Sequence, residues 1–384
     1  MSITRHQLTF VAILVGLSAL LFAAVHYSLN WRTRAMLLQQ DPARLERLGR
    51  RLIVGYNDFA EIKDLVAHRA VAGVYVTTRN VGGRSVSDIA RDIAQLQDIR
   101  AKQGLPKLII AADQEGGLVS HLSPPLNDQP SLAEIIAPMN TDDERRAAVS
   151  RFAETQAHGL NAIGITMNLA PVVDLRPTST LPNDELSRIY ERAIASDPQL
   201  VAQVASWYCH ELWQFDIACV LKHFPGLGRV TNDTHVAAGE IRTDEEQLER
   251  SDWIPFRQVL KLPGAALMVG HVRLDAVDRA SPASYSPLVV TGLLRQKWRY
   301  DGLAITDDLG MGAITESVDG IGTAAVQALN AGIDLLLIAK AKKNFDAVLS
   351  ALIDADATGK IDRSQEAASL RRLSAWSQAF SARH

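Results

Sequence analysis

At 384 residues with 47% hydrophobic content, the chain can bury one large core or two modest ones. Its formal net charge of −3 offers no basic footprint, which removes nucleic acid from the expected partners. The two cysteines, Cys209 and Cys219, have neither CxxC spacing nor companions for a metal site, so both read as core residues that an oxidising compartment would allow, without requiring, to bridge.

After a short tail (1–7), the run LTFVAILVGLSALLFAAV from Leu8 to Val25 carries no charged residue, and Trp31, Arg32 and Arg34 follow as interfacial anchors. This length and the lack of an A-x-A cleavage site predict an uncleaved transmembrane signal anchor over 8–29. Arg5 against Arg32 and Arg34 does not set its direction; the short tail favours an inside N-terminus. The expected placement is therefore single-pass in the inner (cytoplasmic) membrane, with a periplasmic body. Residues 30–51 read as a juxtamembrane linker and first helix.

From Leu52 onward short β-rich apolar runs recur: LIVGY (52–56), GVYVT (73–77), KLIIAAD (107–113) and ITMNLAPVVD (165–174). They continue as ACVLKHF (218–224), ALMVGHV (266–272), LAITDD (303–308) and DLLLIA (334–339). Between most of them lie stretches such as SVSDIARDIAQLQDIRAKQG, where apolar residues return every three or four positions. Continuous apolar strands belong to parallel sheets covered on both faces. Eight such units alternating with helices predict an α/β fold, a (β/α)8 TIM-type barrel over 52–384 with a helical C-terminal tail, preceded by the transmembrane helix. A doubly wound open sheet is the alternative, because periodicity does not report closure.

The C-terminal ends of these runs carry polar groups: Asp113, Asp174, Lys222 with His223, His271, and Asp307 with Asp308. A barrel gathers its active site on that face. The loop after Phe224 adds Asp233-Thr234-His235. An aspartate beside an imidazole favours its protonated form and fixes its orientation, which suits it to donate and recover a proton. An ionised strand-end aspartate plus a protonated donor is the pairing that retaining glycoside hydrolysis needs, although there the donor is usually a second carboxylic acid.

The stretches IIAADQEGGLV (109–119), MNLAPVVDL (167–175), ERAIASDP (191–198), KHFPGLGRVTNDTH (222–235) and GLAITDDLGMGAI (302–314) together resemble the family 3 glycoside hydrolases, specifically the bacterial β-N-acetylhexosaminidase branch. The resemblance implies a barrel, a two-step retaining mechanism and no metal or organic cofactor. By matching position it makes Asp307 the nucleophile, His235 the acid/base and Asp233 its orienting partner, with Asp308 structural. Asp113, Arg192, Lys222 and His223 match residues that hold the sugar hydroxyls and the acetamido group. His271 either touches substrate or is a satisfied barrel-mouth histidine, and Met311 forms an apolar wall near the site. Asp174 reads as a hydrogen-bonded structural carboxylate.

The implied partner is a carbohydrate, a GlcNAc-containing glycan such as a peptidoglycan fragment cleaved from its terminus. Other family members, including β-glucosidases, take their acid/base from a second domain, for which the stretch after Ala339 leaves no room. Three positions depart from the pattern: Leu118 and His121 stand where arginine is usual, and Leu227 replaces a histidine. Besides a β-glucosidase, a phosphorylase and an inactive membrane-anchored glycan-binding protein are the alternatives.

Overall fold

Each of the eight apolar runs forms a strand of one closed parallel barrel in this computed structural model, which describes residues 34–178, 186–230 and 232–382. The strands are β1 (Leu52–Gly55), β2 (Gly73–Tyr75), β3 (Ile109–Ala112) and β4 (Met167–Asn168), then β5 (Ala218–Phe224), β6 (Ala265–Val269), β7 (Ala304–Asp308) and β8 (Leu335–Ile338). Neighbours in sequence are neighbours in space. β1 closes the ring by pairing with β8 through Leu52–Leu336 and Ile53–Leu337 and with β2 through Ile53–Gly73 and Val54–Val74. An open doubly wound sheet is thereby excluded.

The apolar runs are continuous because both strand faces are buried. Successive side chains point to opposite faces of a strand. Leu52, Val54, Val74, Ile110 and Leu221 face the helical layer, whereas Ile53, Tyr75, Ala111, Val220, Met268 and Leu337 fill the barrel interior. The helix Val86–Lys102 presents Ile89, Ile93 and Leu96 to that outer layer, at the spacing that places side chains on one helical stripe. Each such aliphatic burial contributes about 1.5–3 kcal/mol, so a charge at Ile93 would unseat the helix. The helix Asp142–Ile163 starts at a capping box of Thr141 and Glu144 and stops at Gly164, whose φ of 95° suits a residue without a side chain.

Cys209, in the helix Pro198–Gln214, and Cys219, in β5, are core residues as expected and are also bonded to each other, with Cα atoms 5.5 Å apart. At the opposite end of the chain, helices Ala341–Ala357 and Arg363–Ser381 complete the outer layer. The second is pinned by Arg372, whose Nε donates to the fully buried Asp334 just before β8 at 2.9 Å; Arg295 reaches the same carboxylate at 2.7 Å.

The expected fold class and localisation need a correction. No helix among the described residues is long and apolar enough to cross a membrane, so the transmembrane helix, the membrane partnership and the inner-membrane placement built on it are not sustained. The described helices keep a polar face around the barrel, and the continuous apolar runs are strands too short to span a bilayer. The run 8–29 on which that expectation rested lies outside the described residues.

Candidate active site

The C-terminal ends of the strands surround one open cavity. Asp113, Arg192, Lys222, His223, His235, Asp307 and Met311 all line it, together with Tyr75, Arg79, His121 and Asp308. Asp233 and His271 are buried behind this wall. Seven of the nine residues singled out in the sequence therefore share one surface, and the other two support it from behind.

Asp307 sits near the end of β7, where its carboxylate accepts the Asp308 backbone N–H at 2.8 Å. Burial alone would raise its pKa, but the imidazoles of His223, His271 and His235 outweigh burial and hold it below the ordinary carboxylate value. Asp307 is thus an ionised, desolvated carboxylate facing a cavity. Its neighbour behaves differently. Asp308 Oδ1 accepts from Gly310 N at 3.0 Å and Ala339 N at 2.9 Å, tying the end of β7 to the end of β8, and burial followed by the Asp307 charge raises its pKa.

His271 supports the same strand end. One ring nitrogen contacts the Asp308 carbonyl at 3.1 Å and the other the Ser284 hydroxyl at 2.7 Å, and burial lowers its pKa. A carbonyl oxygen only accepts, so Nε2–H donates to it. His271 holds the backbone of the Asp307–Asp308 pair rather than opening onto the cavity.

The second catalytic candidate comes from the loop after β5. His235 is partly exposed, and its Nδ1 lies 3.0 Å from Asp233 Oδ1 and 3.1 Å from Ser187 Oγ. Among the described residues Nε2 has no hydrogen-bond partner. Asp233 also accepts from His235 N at 2.9 Å, Leu186 N at 2.9 Å and Ser187 Oγ at 2.8 Å. Although burial opposes it, these donors depress the Asp233 pKa to about 2, so the imidazole faces a permanent negative charge.

A glycine completes the docking of this loop. Gly312, four residues after Asp308, donates its N–H to the His235 carbonyl at 2.8 Å. A Cβ there would collide with the carbonyl oxygen of Val236. The glycine in DDLGMG thus lets the segment after β7 touch the backbone that carries His235.

The opposite wall is a buried charge network. Lys222 Nζ bonds Asp113 and lies 2.6 Å from Glu115, which in turn receives Arg192 through two nitrogens at 2.7 and 3.0 Å. Tyr75 donates its hydroxyl to Asp113. Burying these charges is costly unless each has a partner, and here two cations meet two carboxylates. The Asp113 pKa falls to about 2 against its burial, through Lys222 and then His121. That of Lys222 is raised against burial by Asp113 and Glu115. A second pairing orients His223, whose Nδ1 meets the fully buried Asp174 at 2.7 Å; Asp174 also accepts from Leu227 N at 2.7 Å.

Glu115, Tyr75 and Ser187 were not foreseen. Glu115 stands two positions after Asp113, so alternation along the chain was its available signal, and Tyr75 was hidden inside an apolar strand whose odd positions face inward. Ser187 had no local signal. Of the departing positions, His121 lines the cavity, Leu118 projects outward at 51% exposure and Leu227 is buried. Among the described residues no group of three or more His, Cys, Asp and Glu side chains is arranged to hold a metal ion.

An ionised carboxylate and an aspartate-backed imidazole on one barrel-mouth cavity, facing a hydrogen-bonding wall, define a sugar-cleaving class of barrel. The profile of the Glycosyl hydrolase family 3 N terminal domain matches residues 43–375, and the chain belongs to that family. It is 33% identical over 289 residues to the beta-hexosaminidase of Stenotrophomonas maltophilia strain K279a, covering 74% of this chain and 81% of that one. Among solved structures, a family 3 β-N-acetylglucosaminidase from Paenibacillus sp. FPU-7 superposes with a TM-score of 0.80 at 30% identity, covering 88% of this chain and 63% of that chain. A family 3 glycosyl hydrolase from Mycobacterium smegmatis gives a TM-score of 0.75 at 32% identity, covering 88% of this chain and 98% of that chain.

Proposed function

We propose that the protein is a retaining exo-β-N-acetylglucosaminidase that removes terminal β-linked GlcNAc from peptidoglycan fragments or related glycans. Relatives bearing the names beta-hexosaminidase and β-N-acetylglucosaminidase support the substrate class. The observation that carries the mechanism is the presence of Asp307 and the Asp233-backed His235 on the walls of one cavity.

An Asp307 carboxylate oxygen attacks the anomeric carbon as the bond to the leaving oxygen breaks, and protonated His235 gives its Nε2 proton to that oxygen. The product of this step is a glycosyl ester on Asp307 and a neutral imidazole. His235 then takes a proton from water, the water oxygen attacks the same carbon from the face the leaving group vacated, and the Asp307 carboxylate departs. Two inversions retain the configuration. Asp233 stabilises the imidazolium present before the first step and regenerated in the second, while Asp113, Arg192, Lys222 and His223 supply charge-assisted hydrogen bonds to the sugar.

The test is hydrolysis of 4-nitrophenyl β-N-acetylglucosaminide against the corresponding β-glucoside, with Asp307→Ala as the control. Release from the first substrate, lost by at least about a thousandfold in the variant, is expected for loss of a nucleophile. Full activity of Asp307→Ala would defeat the assignment, and formation of a sugar 1-phosphate on adding phosphate would convert it to a phosphorylase.

A further inference from the structure

A second cavity opens at the other end of the barrel. It is lined by Ile109 and Met167, the first residues of β3 and β4, and by the final helix, so it lies at the N-terminal mouth, away from the catalytic cavity. Interior side chains such as Ala111, Val220 and Met268 fill the barrel between the two.

The chemistry of this cavity is two-sided. From the final helix come Leu373, Trp376 and Phe380, the last two half-buried with ring centroids 5.0 Å apart. Facing them are Arg50, Arg100 and Lys107, three cations against the single carboxylate of Asp216 in the lining. Arg100 is the telling group. It is only 3% exposed, its Nε donates to the Pro106 carbonyl at 3.1 Å, and its Nη1 is buried without a hydrogen-bond partner among the described residues. A nearly buried guanidinium with one donor unmet is a costly arrangement, and an anion in the cavity that Arg100 lines would offset its charge. The exposed Lys107 and the half-buried Arg50 add positive potential at the rim.

We propose that the N-terminal mouth of the barrel is a second binding site, for an amphipathic monoanion: a carboxylate that meets Arg100, Arg50 and Lys107, on an aliphatic or aromatic body that lies against Leu373, Trp376 and Phe380. Neither half of the site takes part in the sugar chemistry. Binding there would join the final helix to the barrel floor, and the site does not depend on which glycan the catalytic cavity accepts.

The test uses calorimetric titration of the full chain with decanoate below its micellar concentration, with decanol as the uncharged counterpart and acetate as the anion without a body. Saturable binding of one decanoate per chain is expected, at least tenfold tighter than decanol, with acetate silent. Arg100→Gln should weaken decanoate at least tenfold; because it alters a buried residue, the exposed Lys107→Glu and the half-buried Phe380→Ser, both checked by thermal melting, should weaken it as well. Equal affinity for decanol, unchanged decanoate binding in the Lys107→Glu and Phe380→Ser variants, or displacement of decanoate by GlcNAc would each overturn the proposal. Hydrolysis is not the readout, so failure here leaves the catalytic assignment standing and the reverse also holds.

Discussion

Replacing Asp233 by Asn tests the proposed acid/base most sharply, because it removes one charge and almost no volume. The imidazolium of His235 would lose a carboxylate oxygen that stands 3.0 Å from its Nδ1. At that range, with the screening typical of a site open to solvent, a charge pair is worth on the order of 4 kcal/mol, and general acid–base catalysis as a whole contributes about 10²–10⁴ in rate. Because the imidazole itself survives, the loss should fall near the lower end. We expect kcat/KM for chitobiose, whose leaving sugar needs its proton, to drop by about 10²–10³. With the 4-nitrophenyl glycoside, which departs with little assistance, kcat/KM should fall less than about tenfold, while kcat falls further because hydrolysis of the glycosyl ester still needs the base. Five contacts converge on Asp233 from the backbone and side chains of Leu186, Ser187 and His235. An asparagine keeps one acceptor oxygen for them, so a urea titration should show a stability loss of no more than about 2 kcal/mol. Equal losses on the two substrates, or none on either, would refute the role given to the pair.

In the proposed mechanism the lowered pKa of Asp307 sets the acidic limb of activity. A nucleophile must be ionised, so kcat/KM should persist as pH falls through the ordinary carboxylate value and decline only below it; a limb centred at or above that value would contradict this environment. Asp113 and Asp233, both depressed to about 2, contribute stability that is complete above the unfolded carboxylate value and lost as pH falls through about 4 to about 2, which an acid-unfolding titration followed by circular dichroism would register. Gly312→Ala should push away the His235–Val236 backbone and lower kcat by about 10–100-fold with an unchanged fold, since small misplacement of a catalytic group is expensive; unchanged kcat would show that the contact does not set the position of His235. Replacing Cys209 and Cys219 together by Ala should cost about 2–3 kcal/mol in urea unfolding, because the bridge closes a short loop, while kcat stays within about twofold.

Much of this protein is legible along the chain because a covered parallel barrel leaves a one-dimensional trace. All eight strands fall on the apolar runs, since most positions on both faces are buried and the polar residues the strands carry, such as Asn168 and Lys222, are themselves buried and hydrogen-bonded. The polar groups that end those runs, from Asp113 to Asp307, were visible for the complementary reason that the runs stop where the site begins. The acidic partner of His235 was visible too, being two residues away.

What required the tertiary structure was every relationship between distant segments. Closure depends on β1 meeting β8, which no local pattern encodes. Ser187 supports Asp233 across 46 residues of chain and Arg192 clasps Glu115 across 77, so neither pairing leaves a periodic signature. His271 is open in the sequence between touching substrate and being a satisfied barrel-mouth histidine, and its ring is in fact bonded to Ser284 and the Asp308 carbonyl. Composition also invites a membrane reading from an apolar run, whereas the described helices are amphipathic and none is long and apolar enough to cross a bilayer. Hydrophobic period determines which residues must leave water; only packing in three dimensions decides which charges then meet, and with these charges the chemistry of the site.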